Sequence, residues 1–193
     1  MSNIATLRPT LVDGIFRRSL TTDAVLVLAG AALTGLAAQV SVPTPIGVPF
    51  TLQTFAVLVI GASLGSVRGA LSMLAYALLG AIGLPMFQGA SGGFGVITGA
   101  TGGFIIGFIA AAFVVGKLAE LEWSSKFLKM LAAFVAGSIV IYGFGIPVLA
   151  VVSKVDLATA ATWMVPFMFG DAVKAVAAGM TLPAAWALLR KLK

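Results

Sequence analysis

Apolar residues run in long stretches along the chain, and Pro, Gly and charged residues divide them into six. The first stretch, about Ala24 to Val40, stops before Pro43 and Pro45, which break a helix and favour extended backbone. Phe50 to Gly65 and Gly69 to Pro85 follow, both rather short and joined by a very tight turn around Arg68. A Gly/Ser-rich patch precedes a fourth stretch from about Val96 to Val115, and a charged segment from Lys117 to Lys129, expected in water, leads to the fifth, Met130 to Val152. Lys154 and Asp156 mark a short loop before the sixth, Trp163 to Leu189. At about 20 residues per spanning helix, six spans use most of the chain. The expected architecture is an all-α membrane protein: one integral domain over residues 1–193 with six transmembrane helices.

Composition supports a bilayer as the solvent. The 193 residues are 60% hydrophobic and 9% charged, with 23 glycines, where a soluble domain carries about 25% charged residues. Six spans put both termini on one side, with the loops at Arg68 and at Lys117 to Lys129. Ten of the twelve Lys and Arg fall on that side: Arg8, Arg17, Arg18, Arg68, Lys117, Lys126, Lys129, Arg190, Lys191 and Lys193. The positive-inside rule then makes the termini cytoplasmic. The formal charge of +6 is thereby an orientation signal, and nucleic-acid binding is not needed to explain it. Arg17 and Arg18 before a run ending at Ala37 and Ala38 have the outline of a cleaved signal. Losing span one would set the other five against the charge asymmetry, so the run is read as a retained span. Residues 1–20 form a cytoplasmic segment, either a short amphipathic helix carrying Leu11, Val12, Ile15 and Phe16 beside Arg17 and Arg18, or an unstructured tail.

Histidine and cysteine are both absent, which removes disulfides, His or Cys metal sites and triad catalysis. With a single buried carboxylate and no Ser beside Lys174, an enzyme is the weakest reading. No G-x-x-x-x-G-K-[ST] loop occurs, so the chain does not bind ATP in that manner.

Chemistry concentrates in three features. Asp171 and Lys174 are the ionisable residues deep in a span, each costing about 2.5 to 3.5 kcal/mol at a bilayer centre, and their i,i+3 spacing puts them on one helix face. A mutual ion pair that only ties the span into the bundle is the bland reading; a ligand site in the outer half or at the midplane is the sharper one. Gln88-Gly-Ala-Ser-Gly-Gly-Phe-Gly95 contains too many glycines for a stable helix, so its backbone and Ser91 are candidates for contact with a ligand from the outer side. With the Pro43, Pro45 and Pro49 series, it is also a candidate lid. Gly95, Gly99, Gly103 and Gly107 with Ala111, and Gly61, Gly65 and Gly69, are spaced as helix packing seams. In span one, Gly30, Thr34 and Ala38, or Ala31 and Gly35, make small faces for an internal seam or an external partner.

These residues together resemble the biotin transporter BioY family, the substrate-capturing S components of energy-coupling factor transporters. The resemblance runs over about residues 24 to 190, through Val48-Pro-Phe-Thr-Leu-Gln-Thr54, Leu79-Gly-Ala-Ile-Gly-Leu-Pro85, Ser91-Gly-Gly-Phe-Gly95, Thr101-Gly-Gly103 and Asp171-Ala-Val-Lys174. It implies a six-helix protein of the cell membrane that binds biotin as transported ligand, without a cofactor, and works with a membrane-embedded coupling subunit and cytoplasmic ATPases. It also carries the family's Asp-x-x-Lys biotin motif onto Asp171 and Lys174, with Ser91, Gly92, Gly93 and Phe104 as further substrate-binding candidates. Lys174 suits the biotin carboxylate and Asp171 a ligand N–H, while Phe87, Phe94, Phe104, Trp163, Phe167 and Met168 are candidates for an apolar wall. Family members often carry Asn in place of Ser91, Pro in place of Ala100 and Tyr in place of Phe104. The Ala-x-x-x-Ala face by which the family docks its coupling subunit is not literal here, and Ala31 with Gly35 is its nearest substitute. The rival readings are a proton-coupled secondary transporter of a small carboxylate-bearing substrate, with Asp171 exchanging protons, and a structural membrane subunit.

Overall fold

A computed structural model of the chain describes residues 10–121, 123 and 126–191, with the side chain of Arg190 left out. Arg8 and Lys193, two of the residues used for orientation, lie outside that set. Helix α1 (Leu20–Gln39) is followed by a hairpin of two short antiparallel strands, β1 (Ser41–Val42) and β2 (Phe50–Thr51), with Ser41 opposite Thr51. Helices α2 (Gln53–Leu64), α3 (Ser66–Ala81), α4 (Phe94–Ile97), α5 (Gly102–Glu120), α6 (Phe127–Ser153) and α7 (Leu157–Lys191) complete the chain. Among the described residues, α1, α5, α6 and α7 are long and apolar enough to cross a membrane. Leu28, Leu33 and Leu36 on α1, Ile139 on α6, and Phe169, Val173 and Met180 on α7 are exposed. So apolar an outer surface fits lipid and not water; the chain is an all-α membrane protein.

Two of the six expected spans are short for a physical reason. Helix α2 has 12 residues, about 18 Å at 1.5 Å per residue, against about 30 Å of hydrocarbon. Eight of those residues are buried, so α2 is a core helix wedged between α3 and α5. Its end is set by Gly65, whose φ of 89° is a backbone conformation open chiefly to glycine, and α3 starts at the next residue. There Glu120, from the last turn of α5, accepts bonds from the Ser66 backbone N–H at 2.8 Å and the Ser66 hydroxyl at 2.7 Å. A carboxylate thereby serves the N-terminus of a neighbouring helix, where the dipole favours it. The charged loop expected from Lys117 to Lys129 is shorter than that: Lys117 and Glu120 belong to α5 and Lys129 to α6, and Glu120 is buried while Lys117, Lys126 and Lys129 are exposed.

The fourth expected span is also corrected. Instead of one helix from Val96, the chain makes the single turn α4, breaks over residues 98–101, and restarts at Gly102, where a Cβ would strike the carbonyl of Ile97. The four-residue glycine ladder is therefore only half a seam. Gly103 and Gly107 lie against α6 at Phe144, Val148 and Ile141, whereas a Cβ at Gly95 would meet open space. The shorter series is realised: a Cβ at Gly61 would sit 2.7 Å from the Ala112 carbonyl, and one at Gly69 2.9 Å from the Gly61 Cα. On α1 both small faces turn inward. Gly30 meets Ser72 and Ile60, Gly35 meets Met86, and Ala31, Thr34 and Ala38 are at most 1% exposed. Ala31 with Gly35 is thus an internal seam, and the exposed face of α1 lies elsewhere, around Val25, Leu28, Ala32 and Leu36.

At the end of the bundle away from the hairpin, residues 10–19 hold one 3-10 turn, Val12–Gly14. Asp13 accepts from Arg18 Nε at 2.9 Å, from Arg68 Nη1 at 2.8 Å and from the Thr10 backbone and hydroxyl. The other Arg68 nitrogen, Nη2, lies 2.8 Å from Asp23. Burial alone would raise the Asp13 carboxyl, but the bonds from Arg18, Arg68 and Thr10 outweigh it and hold the group below the usual carboxylate range. A depressed folded pKa keeps this clamp intact above about pH 4, the unfolded value, and releases it only in stronger acid. Asp13→Asn should therefore speed tryptic cleavage after Arg17 and Arg18 in detergent-solubilised protein several-fold at neutral pH. Unchanged cleavage would contradict the clamp.

Candidate functional site

The prolines of the hairpin loop keep residues 43–49 out of helix, and the short α2 begins below them with Gln53 and Thr54 in its first turn. Helix α7 faces that turn with Asp171, about 9% exposed, and Lys174, whose side chain is 21% exposed. Three groups hold Asp171. Its Oδ1 accepts from the Thr54 hydroxyl at 2.8 Å and the Lys174 ammonium at 3.0 Å, and its Oδ2 accepts from Tyr142 of α6 at 2.6 Å. Lys174 donates in addition to Thr54 Oγ1 and to the backbone carbonyl of Thr51, both at 2.8 Å. An ammonium has three protons, and all three are used. The pair is therefore one component of a network joining α7, α6, α2 and β2. Such satisfaction is what a buried charge requires.

This network forms part of the wall of a cavity that encloses about 860 Å³ when the open space at its mouth is counted. Phe104, Phe108 and Ile141 supply apolar wall, and Phe104 meets Tyr142 edge-on with centroids 6.4 Å apart. Gln53 and Tyr76 form a second polar group bordering the same cavity, with Gln53 Nε2 donating to the Tyr76 oxygen at 2.6 Å.

The mouth is built by the two Pro- and Gly-rich segments together. Gln39, at the end of α1, donates to the Phe87 carbonyl and accepts from the Ala90 N–H, and Gln88 donates to Ser41 in the hairpin. Ser91 borders the cavity, but its hydroxyl donates to the Gln88 carbonyl at 2.7 Å and so closes its own loop. Gly92 and Gly93 are not among the residues that border the cavity. A Cβ at Gly92 would strike the carbonyl of Leu84, and Gly93, at φ 101°, donates to the Gly80 carbonyl at 2.7 Å. These glycines let the loop backbone lie against the end of α3. Of the apolar candidates, Phe87, Phe104 and Phe167 border the cavity. Phe94 is 68% exposed, Met168 faces a separate groove between α6 and α7, and Trp163 is not among the lining residues.

Sequence reasoning missed Thr54, Tyr142, Gln53 and Tyr76. A usable signal existed for two of them: Tyr76 and Tyr142 are the two tyrosines of the chain, and a phenol in an apolar helix demands a partner.

Comparison with known proteins gives a consistent picture. The model of the BioY family matches residues 7–191. A biotin transporter BioY of Thermotoga maritima is 43% identical over 137 residues, covering 70% of this chain and 80% of the relative. That of Rhodobacter capsulatus is 39% identical over 151 residues, covering 72% and 80%. A probable biotin transporter BioY of Lysinibacillus sphaericus is 35% identical over 176 residues, covering 91% and 88%. Among solved structures, the S-component for biotin from an ECF-type ABC transporter superposes with a TM-score of 0.79 over 92% of this chain and 95% of that one, at 24% identity. At that identity the likeness is one of fold.

Proposed function

Because the chain belongs to the BioY family, a family of transport components and not of enzymes, we propose that it is the biotin-binding S component of an ATP-driven energy-coupling factor transporter in the cell membrane. In this reading it captures biotin from the outer side and passes it on with a membrane-embedded coupling subunit and cytoplasmic ATPases. The observation that carries the reading is the cavity with a half-buried ammonium, Lys174, at its wall. Biotin has a carboxylate, a ureido ring and an apolar body, and the cavity offers a cation, neutral polar groups and aromatic surface. Lys174 meets the carboxylate by exchanging one of its three internal bonds. Asp171 holds Lys174 and Tyr142 in position, while Phe104 and Phe167 cover the apolar body and Ser91 fixes the loop at the mouth.

Proton exchange at Asp171 fits the site less well. Both oxygens of that carboxylate are already engaged inside the protein, by the Thr54 hydroxyl and the Lys174 ammonium on one and by the Tyr142 phenol on the other. Energised uptake separates the two mechanisms: accumulation of labelled biotin should require the coupling subunit and ATPases and survive collapse of the proton gradient. Uptake by the protein alone that vanishes with the gradient would favour the secondary transporter.

We propose further that α1, α2, α3, α5, α6 and α7 form one six-helix domain over residues 1–193, with both termini and the segment 1–20 in the cytoplasm and the hairpin and residues 88–95 outside. The chain lacks cysteine, so single cysteines at Arg17 and Ala158, both exposed, report on the two sides. In intact cells an impermeant maleimide should label Ala158→Cys and spare Arg17→Cys; the reverse pattern would invert the topology.

A further inference from the structure

We infer that the groove between α6 and α7 is a binding site for a single acyl chain of a bilayer lipid, separate from the ligand cavity and independent of what that cavity binds. The groove encloses about 560 Å³ when the open space at its mouth is counted. Val135, Ile139 and Met168, all exposed, line it, and Ala172 and Ala175 leave it open because their side chains stop at Cβ. Helices α6 and α7 are joined at one end by residues 154–156. Toward the other end they meet, where a Cβ at Gly179 would lie 3.1 Å from the Phe127 ring. The groove lies between these two closures, over residues 135–142 and 168–175, about 10 Å of helix at 1.5 Å per residue.

The lining decides the class of occupant. Among the described residues no Lys or Arg borders the groove, so a phosphate headgroup or a carboxylate meets no cation there. Ser138 contributes a neutral hydroxyl. The other polar groups are Tyr142 and Asp171, and both are already engaged: the phenol donates to Asp171 Oδ2 at 2.6 Å, and Oδ1 accepts from Thr54 and Lys174. What remains is apolar surface on two helices long and apolar enough to cross a membrane. In the hydrocarbon core the surrounding solvent is acyl chain. A transmembrane helix of another protein is the rival occupant, but it is about 10 to 12 Å across with its side chains, too large to lie along a groove closed at both ends.

Packing retains the chain, since lipid tails are as apolar as the side chains they touch. A chain in a concave slot touches protein on several sides, whereas one on the exposed face of α1 touches it on one, so dispersion favours the slot. The position also gives the chain a role. Tyr142 and Asp171 are the residues common to this groove and to the ligand cavity, so the hydrogen bond between them is the partition. An acyl chain behind it keeps water away from the carboxylate on the lipid side, where a polar group without a partner is costly.

The test places the whole protein, a single copy per lipid nanodisc, in phosphatidylcholine carrying a photoactivatable diazirine in mid-chain, and locates the crosslinks by mass spectrometry. In the parent, label should be at least about 5-fold denser over residues 135–142 and 168–175 than at the exposed Leu28, Leu33 and Leu36 of α1, as expected of a packed chain against a passing one. Ala172→Phe puts a ring into the groove and should cut the groove label by about 5-fold or more, with the label on α1 unchanged. Ala172→Leu carries the same test if Ala172→Phe does not fold, as judged by its melting profile. Equal label on the groove and on α1, or groove label that survives the substitution in folded protein, would overturn the assignment. Loss of the groove label in discs that hold two copies would overturn it as well, because a second chain would then be the occupant.

Discussion

Lys174→Met should lower biotin affinity by at least about 30-fold, since removing one member of a hydrogen-bonded charge pair in a binding site costs about 2 to 5 kcal/mol or more. Stability should fall with it. Asp171 would remain 9% exposed with its cation gone, and breaking a buried pair by removing one partner costs about 3 to 5 kcal/mol. Asp171→Asn should act in the same direction, because it strands the ammonium and loses the acceptor for Tyr142. The double variant separates a ligand site from a structural tie: with both charges gone, melting temperature should recover while biotin binding does not. A double variant that binds biotin as the parent does would remove the pair from the site.

Gly61→Val is expected to be the most damaging change remote from the cavity. Its Cβ would fall 2.7 Å from the Ala112 carbonyl and 3.0 Å from the Ala112 Cα, both backbone atoms that cannot rotate away. Helices α2 and α5 must then separate, at a cost of about 1 to 3 kcal/mol or more for overpacking. Helix α2 also carries Gln53 and Thr54 into the cavity, so biotin affinity should drop together with melting temperature. Gly143→Ala is the control, as a Cβ there meets nothing within 4 Å and alanine favours helix by up to about 1 kcal/mol. Equal melting temperatures for Gly61→Val and the parent would contradict the packing described for α2.

The helices were legible in the sequence because lipid forbids polar residues over long stretches, so the Pro43 to Pro49 series, Arg68 and Lys154 with Asp156 stand out as interruptions. Asp171 and Lys174 were legible for the same reason. The break between α4 and α5 was not, since Gly95, Gly99, Gly103 and Gly107 keep the spacing of a helix seam, and only the tertiary fold shows that Gly102 lies against the Ile97 carbonyl. The roles of Gly92 and Gly93 were hidden in a similar way. Glycine permits close approach to any neighbour, and here the neighbour is the end of α3. Thr54, Gln53, Tyr76 and Tyr142 carry no charge and scarcely alter an apolar run, so their convergence from α2, α3 and α6 appears only once those helices are assembled. Glu120 looked like part of a solvated loop because its partner, Ser66, is 54 residues away.

Equilibrium binding of labelled biotin to the purified, detergent-solubilised protein tests the central claim most directly. The account predicts saturable binding at one site per chain, displaced by unlabelled biotin and lost in the Asp171→Asn/Lys174→Met double variant while its melting profile is kept. A folded parent protein that shows no saturable biotin binding would contradict it.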